Sequence, residues 1–184
     1  MLVRKLVESV VSDYLNENNI KFSSKIKDYY RLIIIAVVKF LKEEFLIDKD
    51  IVIIIKESKN NNKYGEVNLT NGKVFKLELN LNQSFTLIIK SIIHELTHIK
   101  QISKKELRIS VDGLNILYGT DFTLPIIKYK EISKDLSKYR YLPWEVEAYD
   151  NMSDITLFNK IINSKYWLEL KGQDRNIDFI IKNL

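Results

Sequence analysis

The sequence predicts an α+β domain: N-terminal helices, a small twisted and mainly antiparallel sheet, a central helix, and a C-terminal helix. Three observations predict it. Apolar residues recur at three- and four-residue spacing in several long segments, as on one face of a helix. Between residues 51 and 81 the pattern changes to β-branched runs and strict alternation. Asn71-Gly72 and Asp112-Gly113 each sit between such runs, where a tight turn is expected. The 184 residues fit a single domain over 1–184, with N-terminal helices in 1–48, a central core in 49–163 and a docked tail in 164–184. At 46% apolar and 29% charged residues, the chain has an ordinary globular composition and length enough for its own core.

The elements follow in order. Leu2, Val3, Leu6, Val7, Val10, Val11, Tyr14 and Leu15 form the apolar stripe of a first helix ending near Asn16–Asn19. Ser23 or Ser24 can cap a second helix through about Glu44, with Ile26, Tyr30, Ile33, Ile34, Val37 and Leu41 inward. Ile51–Lys56 is β-branched and bounded by charge, a strand. Asn60–Gly65 is polar and reads as a loop. Residues 67–70 and 74–81 flank Asn71-Gly72 as a hairpin, and in the second arm Phe75, Leu77, Leu79 and Leu81 share the buried face. A third helix spans about Ser84 to Ser103. Residues 107–118 read as a second hairpin, followed by a loop to Tyr141. Pro143 suits the first position of a fourth helix that runs to about Asn163, and the tail holds a short helix after Asp174.

Charge and composition exclude several functions. The net charge is 29 − 24 = +5, and only five of the 29 cations are Arg. No helix carries an Arg-rich face, so nucleic-acid binding is not expected. With no Cys there is no disulfide framework, thiolate metal site or Cys nucleophile. Glu8 and Asp13 interrupt the first apolar segment, so it does not read as a secretory signal. The longest apolar run, residues 32–38, is far short of the roughly 20 residues of a spanning helix. A cytoplasmic protein that does not engage membranes is the expectation.

The two histidines carry the chemistry. Residues 94–98 read His-Glu-Leu-Thr-His, so His94 and His98 are four apart on one helical face and both imidazoles can reach one ion. Glu95, about 100° round the helix, cannot be a ligand at the same point but can reach a water there as general base. On the helical wheel Ile88, Ile89, Ile92, Ile93, Leu96 and Ile99 make the core side, and Lys90, Thr97, Lys100 and Lys104 a solvated stripe. Ser91, His94, Glu95 and His98 form a third sector beside the core, as expected of a metal helix lining a cleft.

This segment resembles the HExxH zinc metallopeptidases, the zincins. In that family an edge strand just upstream pairs with extended substrate, and residues 74–81 (Val74–Leu81) stand in its place. Lys100 departs from the extended pattern, which is usually apolar there. The metzincin continuation is excluded by Gln101 and Lys104, and the aspzincin pattern by Thr123.

A catalytic zinc usually has three protein ligands, and no His or Cys remains for the third. The segment Pro143-Trp-Glu145-Val-Glu147-Ala148 offers two carboxylates that point about 200° apart on a helix, so only one can face the metal. Glu147 groups with Asp150 and Asp154 in an acidic, solvated stripe. Glu145 lies among Ala148, Tyr149 and Met152, where a carboxylate needs a partner. Glu145 is the favoured ligand and Glu147 the alternative. The same segment resembles the gluzincins, whose third ligand is a Glu on a downstream helix, in several families followed by a small residue three positions on, as Ala148 follows Glu145. Within them the chain looks most like the small minigluzincin-type peptidases of archaea, phages and viruses, over roughly residues 66–155.

The resemblance implies one Zn²⁺ per chain on His94, His98 and Glu145, with Glu95 as general base in peptide hydrolysis. An oxyanion partner would come from Tyr139, Arg140, Tyr141 or Tyr149, with Tyr141 and Tyr149 ranked first for closeness to Glu145. Trp144 reads as a core anchor. The resemblance also implies latency through a chain segment in the cleft, either residues 166–171 of the tail or the N-terminal helix. The alternative is an inactive zincin-like binding or regulatory protein with a structural zinc. Acceptors that would fix the two imidazoles are not identifiable from the sequence.

Overall fold

The computed structural model describes residues 19–23, 26–59, 64–172 and 175–182. The expected helix over Leu2–Leu15, Ser24 and the loop residues 60–63 lie outside the described residues.

Strand β1 (Ile20–Phe22) leads into helix α1 (Asp28–Glu44), which returns the chain to β2 (Val52–Glu57). The two strands pair in parallel, with Ile20 opposite Ile53, because a helical crossover carries the chain back to the same end of the sheet. Then come β3 (Gly65–Asn71), β4 (Val74–Leu79) and helix α2 (Phe85–Ser103). The sheet order is β1-β2-β4-β3, with β2 and β4 parallel and β3 antiparallel to β4. The expectation of a mainly antiparallel sheet is therefore corrected: it is mixed, and two of its three pairings are parallel. One parallel pairing was hidden by β1, too short to show a periodicity, and the other because alternation does not say which arm of the 67–81 hairpin β2 joins. Helix α1 starts at Asp28 without a side-chain cap, and Ser23 instead continues the sheet by donating its N–H to the Ile55 carbonyl at 3.0 Å.

Both helices pack on one face of this sheet. Ile53 and Ile55 of β2 and Phe75, Leu77 and Leu79 of β4 are fully buried, as their alternation requires. They meet Ile33, Ile34, Val37, Val38 and Leu41 of α1, and Ile88, Ile89, Ile92, Ile93, Leu96 and Ile99 of α2. Ser84 caps α2, its hydroxyl accepting from the Leu87 N–H.

A second layer follows. Strands β5 (Leu107–Ile109), β6 (Asn115–Tyr118) and β7 (Phe122–Pro125) form an antiparallel sheet. The segment expected to be a loop thus contains β7 and the short helices α3 (Ile126–Ile132) and α4 (Leu136–Tyr139). Gly119, at φ +60°, makes the tight β6–β7 turn, and the strand beyond it is only four residues long. Helix α5 (Pro143–Ser153) stops at Asp154, whose extended backbone and side chain cap a separate helix α6 (Ile155–Ile162). The continuous fourth helix expected to Asn163 is corrected on that ground. Trp144 does anchor a core: with Leu124 and Leu142 it forms a second apolar cluster beneath the small sheet.

The tail holds α7 (Lys165–Leu168) and α8 (Arg175–Lys182). Trp167, Leu170, Ile177 and Ile180 are buried in the main core beside α1, and Tyr166 bonds Glu43 of α1. These tail residues are therefore built into the main core. Among the described residues no helix is long and apolar enough to cross a membrane.

Candidate metal centre

Helix α2 carries His94, Glu95 and His98 one turn apart, and α5 crosses it with Glu145 in its first turn. Ala148, fully buried on α5, leaves room for that approach. The Nε2 atoms of His94 and His98 lie 3.2 Å apart. Glu145 places Oε2 3.4 Å from His94 Nε2 and Oε1 3.4 Å from His98 Nε2. These three residues form a group able to hold a metal ion.

The donor set suits a metal ion: two imidazole nitrogens 3.2 Å apart, each 3.4 Å from a different oxygen of one buried carboxylate. Glu145 is only 2% exposed, so its carboxylate is a buried charge that demands a cation or donors. Burial works to raise its pKa, but hydrogen bonds from His94, His98 and Tyr139 and the charge of His98 outweigh that and hold it at about 2. Burial lowers His98, yet the hydrogen bond and charge of Glu145 carry it above 6.5. The two shifts are one coupling: His98 and Glu145 each hold the other in its charged form.

His98 is oriented from behind. Its Nδ1 lies 2.9 Å from Oε1 of Gln101, and the Gln101 amide donates to the Trp144 carbonyl at 3.0 Å and to Glu147 at 2.9 Å. His94 differs: its buried Nδ1 finds no hydrogen-bond partner among the described residues, and the Tyr149 ring packs edge-on to the imidazole, centroids 4.7 Å apart. Glu95, also buried, is pushed up by that burial, against the pull of His94 and His98.

The supporting strand is β3. Gly65 lies so close to Glu95 that an added Cβ would stand 3.0 Å from its Cγ and Oε1. The edge assigned to Val74–Leu81 is corrected: β4 lies between β2 and β3, and β3 is the edge. Asn80 donates to the Tyr64 carbonyl, which makes that pair a hydrogen-bonded one. The alternation then turns the N–H and C=O groups of Gly65, Val67 and Leu69 outward, away from β4.

The remaining expected residues divide. Tyr149 borders the triad, and the exposed Arg140 lies over its ring at 5.6 Å. Tyr141 is 82% exposed and is not among the hydrogen-bond or ring partners of the triad. Tyr139, ranked lower in the sequence, is the tyrosine that bonds Glu145. Part of the two stripes expected to be solvated is covered where the helices meet, while Lys104, Asp150 and Asp154 stay exposed. Lys100 pairs with Glu147, Tyr118 also donates to Glu147, and buried Thr97 accepts from Asn151 at 3.2 Å. Glu147 is therefore a bridge between helices, which leaves Glu145 as the metal-facing carboxylate. Gln101 is the residue that sequence reasoning missed. Its spacing, three beyond His98, was a signal read only as a departure from the metzincin pattern.

No family model, curated protein or solved structure matches this chain.

Proposed function

We propose that the chain is a zinc-dependent peptidase of the gluzincin kind. The observation that carries the reading is the cluster of His94, His98 and Glu145, close enough to share one metal ion, with the buried carboxylate of Glu95 on the same helix outside it. Zinc bound there would polarise a carbonyl and lower the pKa of water toward about 7. Glu95 takes the proton of the attacking water and passes it to the leaving amine, work that contributes typically 10²- to 10⁴-fold. A carboxyl raised by burial suits that proton traffic better than an ordinary one does. Tyr149, beside His94, is the group proposed to steady the developing oxyanion.

Substrate is proposed to bind extended along β3. Support comes from the outward N–H and C=O groups of Gly65, Val67 and Leu69, and from Gly65 lying against Glu95. A peptide added there would pass the general base.

The test is zinc per chain after gentle chelation, for wild type, Glu145→Ala and Glu147→Ala, followed by hydrolysis of unfolded protein. The expected result is one zinc in wild type and in Glu147→Ala, none in Glu145→Ala, and zinc-dependent cleavage. A wild-type chain that takes up no zinc when it is offered overturns the reading.

A further inference from the structure

The buried amide of Gln101 sits between the metal helix and the helix that brings Glu145. We infer that Gln101 is the positioning residue for His98, and that Glu147 and the Trp144 carbonyl fix the direction in which it works. This rests on the zinc reading of the site and adds a residue outside the ligand set.

Donor and acceptor chemistry fixes the direction. Gln101 is wholly buried. One end of its amide faces the Trp144 carbonyl at 3.0 Å and a Glu147 carboxylate oxygen at 2.9 Å. A carbonyl and a carboxylate have no proton to give, so the NH₂ end of the amide must point at them. Its oxygen is then left facing His98 Nδ1 at 2.9 Å, and an oxygen there can only accept. Nδ1 must therefore carry the proton and donate. When His98 is neutral, Nε2 is a bare lone pair, and it is the atom that faces His94 and Glu145.

The chain of dependence thus runs from Glu147 through Gln101 to His98. Glu147 is itself held by Lys100 and Tyr118, so the anchor is fixed from both sides. Because Gln101 also ties α2 to the Trp144 carbonyl of α5, the same amide sets the spacing between the histidines and Glu145. His94 has no equivalent device among the described residues, so His98 is the ligand whose aim is fixed by a hydrogen bond.

The experiment measures zinc affinity on the full chain by chelator competition, with three proteins: wild type, Gln101→Leu and Gln101→Met. Both replacements fill the space, and neither holds an oxygen toward His98 Nδ1. Orientation of a ligand by such a partner is typically worth 10- to 100-fold in metal affinity. The expected result is zinc binding weakened about 10- to 100-fold in both variants. In the ¹⁵N-imidazole spectrum of the zinc-loaded chain, the His98 Nδ1 proton should move upfield in both. A folded variant with the zinc affinity of wild type overturns the inference and leaves the zinc reading standing. Weakened affinity with an unmoved His98 Nδ1 proton also overturns it. If Gln101→Leu fails to fold, Gln101→Met decides in the same way. A wild type that binds no zinc overturns both.

Discussion

Gly65→Ala separates catalysis from metal binding. The Cβ it adds would stand 3.0 Å from both Cγ and Oε1 of Glu95, and 3.4 Å from Cδ. Ordinary contact begins near 3.4 Å, so Glu95 must give way by about 0.4 Å. The backbone at Gly65 is not left-handed, so Ala is tolerated there, and the loss of chain freedom in the unfolded state stabilises by roughly 0.4–1 kcal/mol. That gain offsets much of the crowding, and the melting temperature should move little. The metal ligands lie on other side chains, so zinc should stay. Hydrolysis should not. A misplacement of about 1 Å costs on the order of a hundredfold. Scaled to about 0.4 Å, the expected fall is about tenfold in kcat, with KM changed less. The assay is cleavage of quenched-fluorescence peptides beside zinc content and thermal melting, on wild type and Gly65→Ala. Unchanged kcat with the variant folded and loaded would refute the placement of β3 against the general base. Loss of zinc would refute the assignment of Glu95 outside the ligand set.

Two further outcomes follow from the same geometry. Glu95→Gln should abolish hydrolysis while one zinc remains bound, since the amide cannot take a proton and the ligand triangle is untouched; zinc loss in elemental analysis would mean that base and ligand are exchanged. The metal-free chain should lose stability on both sides of a window. His98, raised above 6.5, contributes stability that is full below 6.5 and lost as pH climbs through its higher folded value. Glu145, held at about 2 against an ordinary 4.5, contributes stability above 4.5 that is lost as pH falls toward 2. The metal-free melting temperature should therefore peak between about 4.5 and 6.5, and a steady rise from pH 6 to 8 in chelator would contradict the assignment.

What could be read from the sequence was set by periodicity and length. Helix α2, with its cap at Ser84 and its Ile-rich core side, was legible because nineteen residues repeat one pattern. The same pattern placed His94, Glu95 and His98, and the apolar neighbours of Glu145 distinguished it from Glu147. Three-residue β1 and four-residue β7 were not legible, because no period can show in so few residues. Missing β1 hid one parallel pairing; that β3 rather than β4 is the edge was hidden because alternation does not say which arm of the hairpin lies beside β2. Part of the polar stripes was misread for a different reason. Lys100 and Thr97 of α2 and Glu147 of α5 look solvated on any single helix, and pairing across the two helices covers them, whereas Lys104, Asp150 and Asp154 stay exposed. The contact of Tyr139 with Glu145 was not legible, because no sequence spacing shows it.

The site stands where two cores meet. His94 and His98 project from a helix whose apolar side belongs to the main cluster, while Glu145 follows Trp144, the centre of the small one. Neither cluster alone can present three ligands. What holds them together at this point is polar: Gln101 to the Trp144 carbonyl, Lys100 to Glu147, and Asn151 to Thr97. Such bonds are directional, and an apolar contact is not, so they fix the spacing of α2 and α5 more sharply than packing would. A cation coordinated by both sides adds a fourth directional tie, and the free energy of its binding is then partly free energy of docking the two clusters. This explains why the interhelical bridge is charged and half-buried where an apolar seam would have been simpler to build. A seam that tolerates sliding would first lose the approach of Glu145 to the two imidazoles.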